Sequence, residues 1–181
     1  MGSVASEGEE GGVTMQASDP LVAEHRVIEK VVGAMRDRLE LAATGGGIDP
    51  CDVDEWVGFL RAYADGAHYR KEEEILFHHL GSRPLSLEHR VWLEELIDEH
   101  EFTRQMTERL AEANQAGRDR DEASLAAVRD TLTMLVELLP AHMAKEETVF
   151  FPTALSYLDE REGQWVLDEF RRFDLTMSDE L

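Results

Sequence analysis

The chain has 181 residues, 43% of them hydrophobic, which suits one domain with a sizeable core. Its 39 acidic against 18 basic residues give a formal charge of -21, a surface that repels phosphate backbones and anionic lipid, so nucleic acid and membrane surfaces are not expected partners. No apolar run approaches the roughly 20 residues that span a bilayer, no signal-peptide pattern opens the chain and Cys51 is the only cysteine, so a disulfide-free cytoplasmic protein is expected.

Residues 1–18 are rich in Gly, Ser and Glu and poor in large apolar groups, the composition of a flexible acidic tail. A bundle domain is expected over 19–175. Asp19-Pro20 reads as a helix start, with Asp19 as the cap, and Leu21, Val22, Ile28, Val31, Val32, Met35 and Leu39 recur at helical spacing until Gly45-Gly46-Gly47. Asp49-Pro50 starts a second helix, with Asp52 and Glu55 spaced as a capping box. It carries Trp56, Phe59, Leu60, Tyr63, Ile75 and Leu76 as far as His79 or Leu80.

A third helix runs from about Ser86 to Gly117 on Val91, Leu93, Leu96, Ile97, Phe102, Met106 and Leu110. After the charged turn 118–121, a fourth runs through Leu125, Val128, Leu132, Leu135, Val136, Leu138 and Leu139, with a bend expected at Pro140, and loosens at Phe151-Pro152. Residues 160–173 suit a short amphipathic fifth helix on Trp165, Val166, Phe170 and Phe173. No segment alternates with a period of two, so the fold class is all-α. The expected architecture is an antiparallel up-down-up-down four-helix bundle with a short C-terminal helix.

One stretch occurs twice. Residues 67–77 read AHYRKEEEILF and 141–151 read AHMAKEETVFF, at an offset of 74. Each copy is a His-x-x-x-Glu, and positions i and i+4 share a helix face, so His68 with Glu72 and His142 with Glu146 can each aim two ligand atoms at one place. A single histidine precedes each copy, His25 after Glu24 and His100 after Glu99, at an offset of 75. The first two helices therefore read as one copy of a unit and the next two as another. In an antiparallel bundle all four histidines fall roughly 9–21 Å from the same end, close enough to form one layer.

A lone His-x-x-x-Glu is ordinarily a solvated ion pair; its duplication in register, with a matched histidine ahead, points instead to a metal site. Four imidazoles and two carboxylates suit two borderline ions, with carboxylates bridging and histidines terminal. Iron or manganese fits this set better than zinc, which favours fewer ligands and cysteine. Glu73 and Glu147 face away from the motif glutamates and read as surface or supporting groups, with Lys71 and Lys145 pairing with those two carboxylates at the rim. His78 and His79 suit a helix C-terminus, and His89 lies about 16 Å along the axis from His100, too far to share a metal.

The order His, His-x-x-x-Glu, His, His-x-x-x-Glu across four helices resembles the hemerythrin-like (HHE cation-binding) family over about residues 19–156. The resemblance implies a four-helix bundle holding a carboxylate-bridged centre of two iron ions, manganese or a mixed pair being less expected. His25, His68, His100 and His142 become terminal ligands, and Glu72 and Glu146 bridges. Oxygen-carrying relatives have a further histidine one turn after the third-helix ligand, where this chain has Arg104. That leaves a position for water, a small ligand or a protein oxygen such as that of Tyr69, which otherwise reads as a core aromatic. The implied ligands are dioxygen, nitric oxide or peroxide, bound or sensed. A peroxide-decomposing enzyme and an iron-responsive interaction module are the alternatives.

Overall fold

A computed structural model of the protein describes residues 15–117 and 122–179. Five helical rods make up the described chain: α1 (Asp19–Ala43), α2 (residues 50–81), α3 (Leu87–Ala116), α4 (residues 122–154) and α5 (Glu160–Asp179). No strand occurs among the described residues. Packing of α1 on α4, α4 on α3, α3 on α2 and α2 on α1 closes the antiparallel bundle, and α5 lies across α2.

The helix ends follow from local chemistry, with two departures from expectation. Asp49 caps α2 by accepting from the Cys51 amide at 2.9 Å, and Ser86 caps α3 by accepting from the His89 amide at 3.2 Å. Asp19 does not cap α1: its carboxylate accepts from the upstream Gln16 amide at 2.7 Å, and Ser18 occupies the cap position. Asp52 forms no capping box, because its carboxylate is drawn to Arg38 at 2.5 Å. The reciprocal box is found instead at the start of α5, where Asp159 and Glu162 each accept from the other's amide at 2.9 Å. Gly45, with φ 96°, takes the left-handed turn that ends α1.

Both motif helices depart from regular α geometry. In α2 the hydrogen bonds widen to i→i+5 over Leu60–Tyr69 and Glu72–Phe77; in α4 they do so over Glu146–Phe150. In each half a wide stretch begins at the motif glutamate. Such turns are frequent at functional sites. Here they let adjacent residues share the buried side, as Leu76 with Phe77 and Phe150 with Phe151. The α4 helix continues through Pro140, and the departure comes six residues later.

The core consists of two apolar clusters. One gathers Ile28, Val32, Met35, Trp56, Leu60, Met106, Leu110, Leu132, Leu135 and Leu139; the other gathers Leu21, Leu76, Phe77, Leu80, Leu96, Phe150, Phe151, Val166 and Phe170. On every one of the four bundle helices the chain passes from one cluster to the other through the histidines, so the polar layer has apolar packing above and below. Val91, Phe102 and Trp165, expected on buried faces, are 41%, 38% and 42% exposed. Residues 1–14 of the expected tail and the turn 118–121 lie outside the described residues; Ala17 and Ser18, at the end of that tail, are buried, Ala17 within the second cluster.

Candidate metal centre

His25, His68, Glu72, His100, His142 and Glu146 converge on the bundle axis, and all six are buried. They form two groups that share both glutamates: His25 and His68 with Glu72 and Glu146, and His100 and His142 with the same pair. Within each group the ligand atoms lie within 4.8 Å of one another.

Each carboxylate divides its oxygens between the groups. Glu146 places Oε2 3.2 Å from His25 Nε2 and Oε1 3.4 Å from His142 Nε2. Glu72 places Oε1 3.6 Å from His68 Nε2 and Oε2 3.3 Å from His100 Nε2. Neighbouring donors on one first-row ion at about 2.1 Å are separated by about 3.0–3.4 Å, a range that holds three of these distances, the Glu72–His68 pair at 3.6 Å lying just beyond it.

Two observations favour a cation at this place. All four oxygens of Glu72 and Glu146 are buried without a hydrogen-bond partner, a costly state for an ionised carboxylate. The histidines, moreover, turn their Nε2 atoms toward each other, 3.1 Å apart for His25 and His68 and 3.0 Å for His100 and His142. With every Nδ1 proton donated to a carboxylate, those Nε2 atoms carry facing lone pairs, which repel unless a cation or proton lies between them.

The Nδ1 partners complete an internal symmetry. His68 donates to Glu24 at 2.9 Å and His142 to Glu99 at 2.7 Å; His100 donates to Glu73 at 2.7 Å and His25 to Glu147 at 2.8 Å. Such carboxylates fix the tautomer and orientation of a metal-binding imidazole and raise its basicity. Each is in turn paired with its own cation: Glu24 with Lys71, Glu99 with Lys145, Glu73 with Arg104 and Glu147 with Arg26. The charge left uncompensated is that of Glu72 and Glu146.

These charges set the titration of the metal-free cluster. Burial alone would lower His100, but the nearby Glu72 and Glu73 carboxylates outweigh it and raise it to about 9; His25 is raised by the Glu146 carboxylate in the same way. Burial would raise Glu72, but the surrounding imidazoles hold it at about 2. Glu24, Glu73 and Glu99 are likewise lowered, burial being outweighed by their histidine and cation partners.

Sequence spacing did not indicate that Glu24 and Glu99 orient the motif histidines: both recur in register, but so do Glu73 and Glu147, and only the packing of the helices separates them. Lys71 and Lys145 serve Glu24 and Glu99 rather than Glu73 and Glu147. Tyr69 lies beside the cluster with its ring stacked on His100, centroids 3.8 Å apart at 13°, and its edge toward His142. Burial pushes its phenol up. Arg104 is held by Asp65 at 2.6 Å and Glu73 at 2.8 Å. Of the remaining histidines, His89 bonds the Tyr157 hydroxyl at 2.8 Å, His79 packs against Trp165 and Arg83, and His78 is exposed.

No helix among the described residues is long and apolar enough to cross a membrane. No curated protein matches the chain. The model of the hemerythrin HHE cation-binding domain matches residues 16–154, with a second, overlapping match over 91–174. With four helices, a duplicated His and Glu set and a match over most of its length, the chain belongs to the hemerythrin HHE cation-binding domain family.

Proposed function

We propose that the protein binds two iron ions, one between His25 and His68 and the other between His100 and His142, with Glu72 and Glu146 bridging them, and that it binds or senses dioxygen, nitric oxide or peroxide there. The observation that carries this reading is the set of four unpartnered carboxylate oxygens between two facing imidazole pairs. Imidazole nitrogens terminal on two positions that share both carboxylates suit a bridged iron pair, the centre that the family resemblance implies, with manganese less favoured. An iron pair supplies open coordination positions and a change of oxidation state.

The chain's own contribution is to hold the donors. Glu24, Glu73, Glu99 and Glu147 keep each Nε2 free by accepting from Nδ1. Two apolar clusters pack above and below this polar layer. Arg104, engaged with Asp65 and Glu73, supplies no donor where oxygen-carrying relatives have a histidine, and this favours reaction or sensing over oxygen transport. The same feature supports a second reading, decomposition of peroxide. An iron-responsive interaction module is the third, since metal binding energy adds to folding energy. We infer a cytoplasmic location, where the single cysteine stays reduced.

Elemental analysis of iron-loaded protein tests the main reading: about two irons per chain are expected, with strong loss in His68→Ala. Binding of fewer than one, or equal uptake by His68→Ala, would overturn it. Oxygen evolution from peroxide that exceeds free iron and depends on His68 would favour the second reading.

A further inference from the structure

A narrow slot of about 30 Å³ opens between α2 and α3, lined by Leu60, Asp65, Tyr69, Thr103, Arg104 and Thr107. A volume of this size holds one water or a ligand of similar bulk. Two ion pairs stand at it, Arg61 with Glu108 at 2.6 Å and Arg104 with Asp65 at 2.6 Å. Tyr69, 1% exposed, lines this slot, and its ring stacks on the His100 imidazole.

The Tyr69 hydroxyl is buried and makes no well-formed hydrogen bond. Its polar neighbour is Thr103, whose hydroxyl donates to the Glu99 carbonyl at 2.9 Å. The phenol proton thus has no well-placed acceptor, a costly state for a buried donor. The duplication gives a control within the molecule, because the residue at the same place in the second motif is Met143, buried in the apolar cluster without any donor. The two halves supply equivalent imidazoles and carboxylates, and Tyr69 breaks that equivalence, its ring lying closest to His100, 5.9 Å from His142 and 5.7 Å from His68.

We propose that Tyr69 is a specificity-determining hydrogen-bond donor: a small ligand carrying an acceptor atom, of the peroxide type, enters by the α2–α3 slot and is bound on the His100–His142 side with the Tyr69 hydroxyl donating to it. The proposal rests on the two-iron reading and selects among its ligands. Peroxide accepts such a bond on its distal atom, whereas nitric oxide, a weak acceptor, gains little. Tyr69 is thereby a ligand-positioning group and not itself a metal ligand.

Azide, a small anion with a terminal acceptor, serves as the probe. Iron-loaded wild type and Tyr69→Phe are compared by iron content, visible spectrum, azide titration of the oxidised form and nitric oxide titration of the reduced form. Tyr69→Phe should keep the wild-type iron content, bind azide about tenfold more weakly and bind nitric oxide within about twofold of wild type, the loss expected for one hydrogen bond to a charged acceptor. Unchanged azide affinity at full iron content overturns this inference alone. So does a phenolate-to-iron charge-transfer band in the wild type that disappears in Tyr69→Phe, which would make Tyr69 a ligand. A wild-type chain that takes up no iron overturns the two-iron reading, and this inference with it.

Discussion

Glu24 on α1 holds His68 on α2, and the relationship is repeated where Glu99 on α3 holds His142 on α4. In both cases one carboxylate oxygen accepts from Nδ1, at 2.9 and 2.7 Å, while the other pairs with the lysine three residues after that histidine. Each metal-facing imidazole of a motif is thus aimed by the neighbouring helix. The motif alone fixes only which face of its helix the ring occupies.

Substituting this carboxylate tests the aim directly. Glu24→Gln and Glu99→Gln should each fold and keep the cluster, but lose the charge that orients the ring, lowering metal affinity about 10–100-fold. Competition against a chelator of known affinity measures this. Affinity unchanged in both variants would mean that the rings are positioned by packing alone.

Metal removal should expose the cost of the buried carboxylates. Glu72 and Glu146 have no hydrogen-bond partner, so a bound cation stabilises the folded chain and not the unfolded one. Saturation at about a hundred times the dissociation constant contributes about 2.7 kcal/mol. Chelation should then lower the melting temperature by several degrees, and Glu146→Gln should remove most of the metal-dependent part. A melting temperature insensitive to both chelator and added iron would contradict this.

The helices and the six converging residues were legible because they depend on spacing within one helix. His68 and Glu72 are four apart, the motif recurs at 74, and apolar residues recur with the helical period. What was not legible depends on contacts between helices. The pairing of Glu24 with His68 spans 44 residues, and nothing in the spacing alone distinguishes that partner from Glu73. The wide turns at Glu72 and Glu146 were hidden for a related reason. They answer a demand for a broad buried face, set in α2 by both the bundle interior and α5, and no residue type marks them. Asp52 looked like a cap until tertiary structure placed Arg38 2.5 Å away.

The metal-free protein should lose stability as pH rises. His100 is raised from 6.5 to about 9 by Glu72 and Glu73 once burial is outweighed, so its contribution is fully present below pH 6.5 and is lost as pH rises through about 9. Glu72 is lowered from 4.5 to about 2, so its contribution is present above pH 4.5 and lost as pH falls through about 2. The melting temperature of the metal-free form should therefore be highest near pH 5–6.5 and fall on the order of 5 °C by pH 9. Metal affinity runs the other way, because Nε2 must shed its proton to bind. Melting curves with and without iron across pH 5–9 should diverge as pH rises; parallel curves would refute the linkage.

The last prediction separates the two halves. Lys71 is almost wholly buried, paired with Glu24 and, at 2.8 Å, with Asp174 of α5, and Arg70 beside it lies 5.1 Å from the Phe173 ring. Lys145, its counterpart, has a side chain 31% exposed and pairs with Glu99 and Glu95, both on α3. Removing a buried partner leaves a desolvated charge behind, whereas water can replace an exposed one. Lys71→Met should therefore cost about 2–3 kcal/mol and loosen α5, while Lys145→Met should cost about 1 kcal/mol or less and leave α5 in place. Denaturant unfolding gives the two energies, and hydrogen exchange over 160–179 reports on α5. Equal losses, or unchanged exchange in Lys71→Met, would show that α5 is held by its apolar residues Val166 and Phe170 without help from the ion pair.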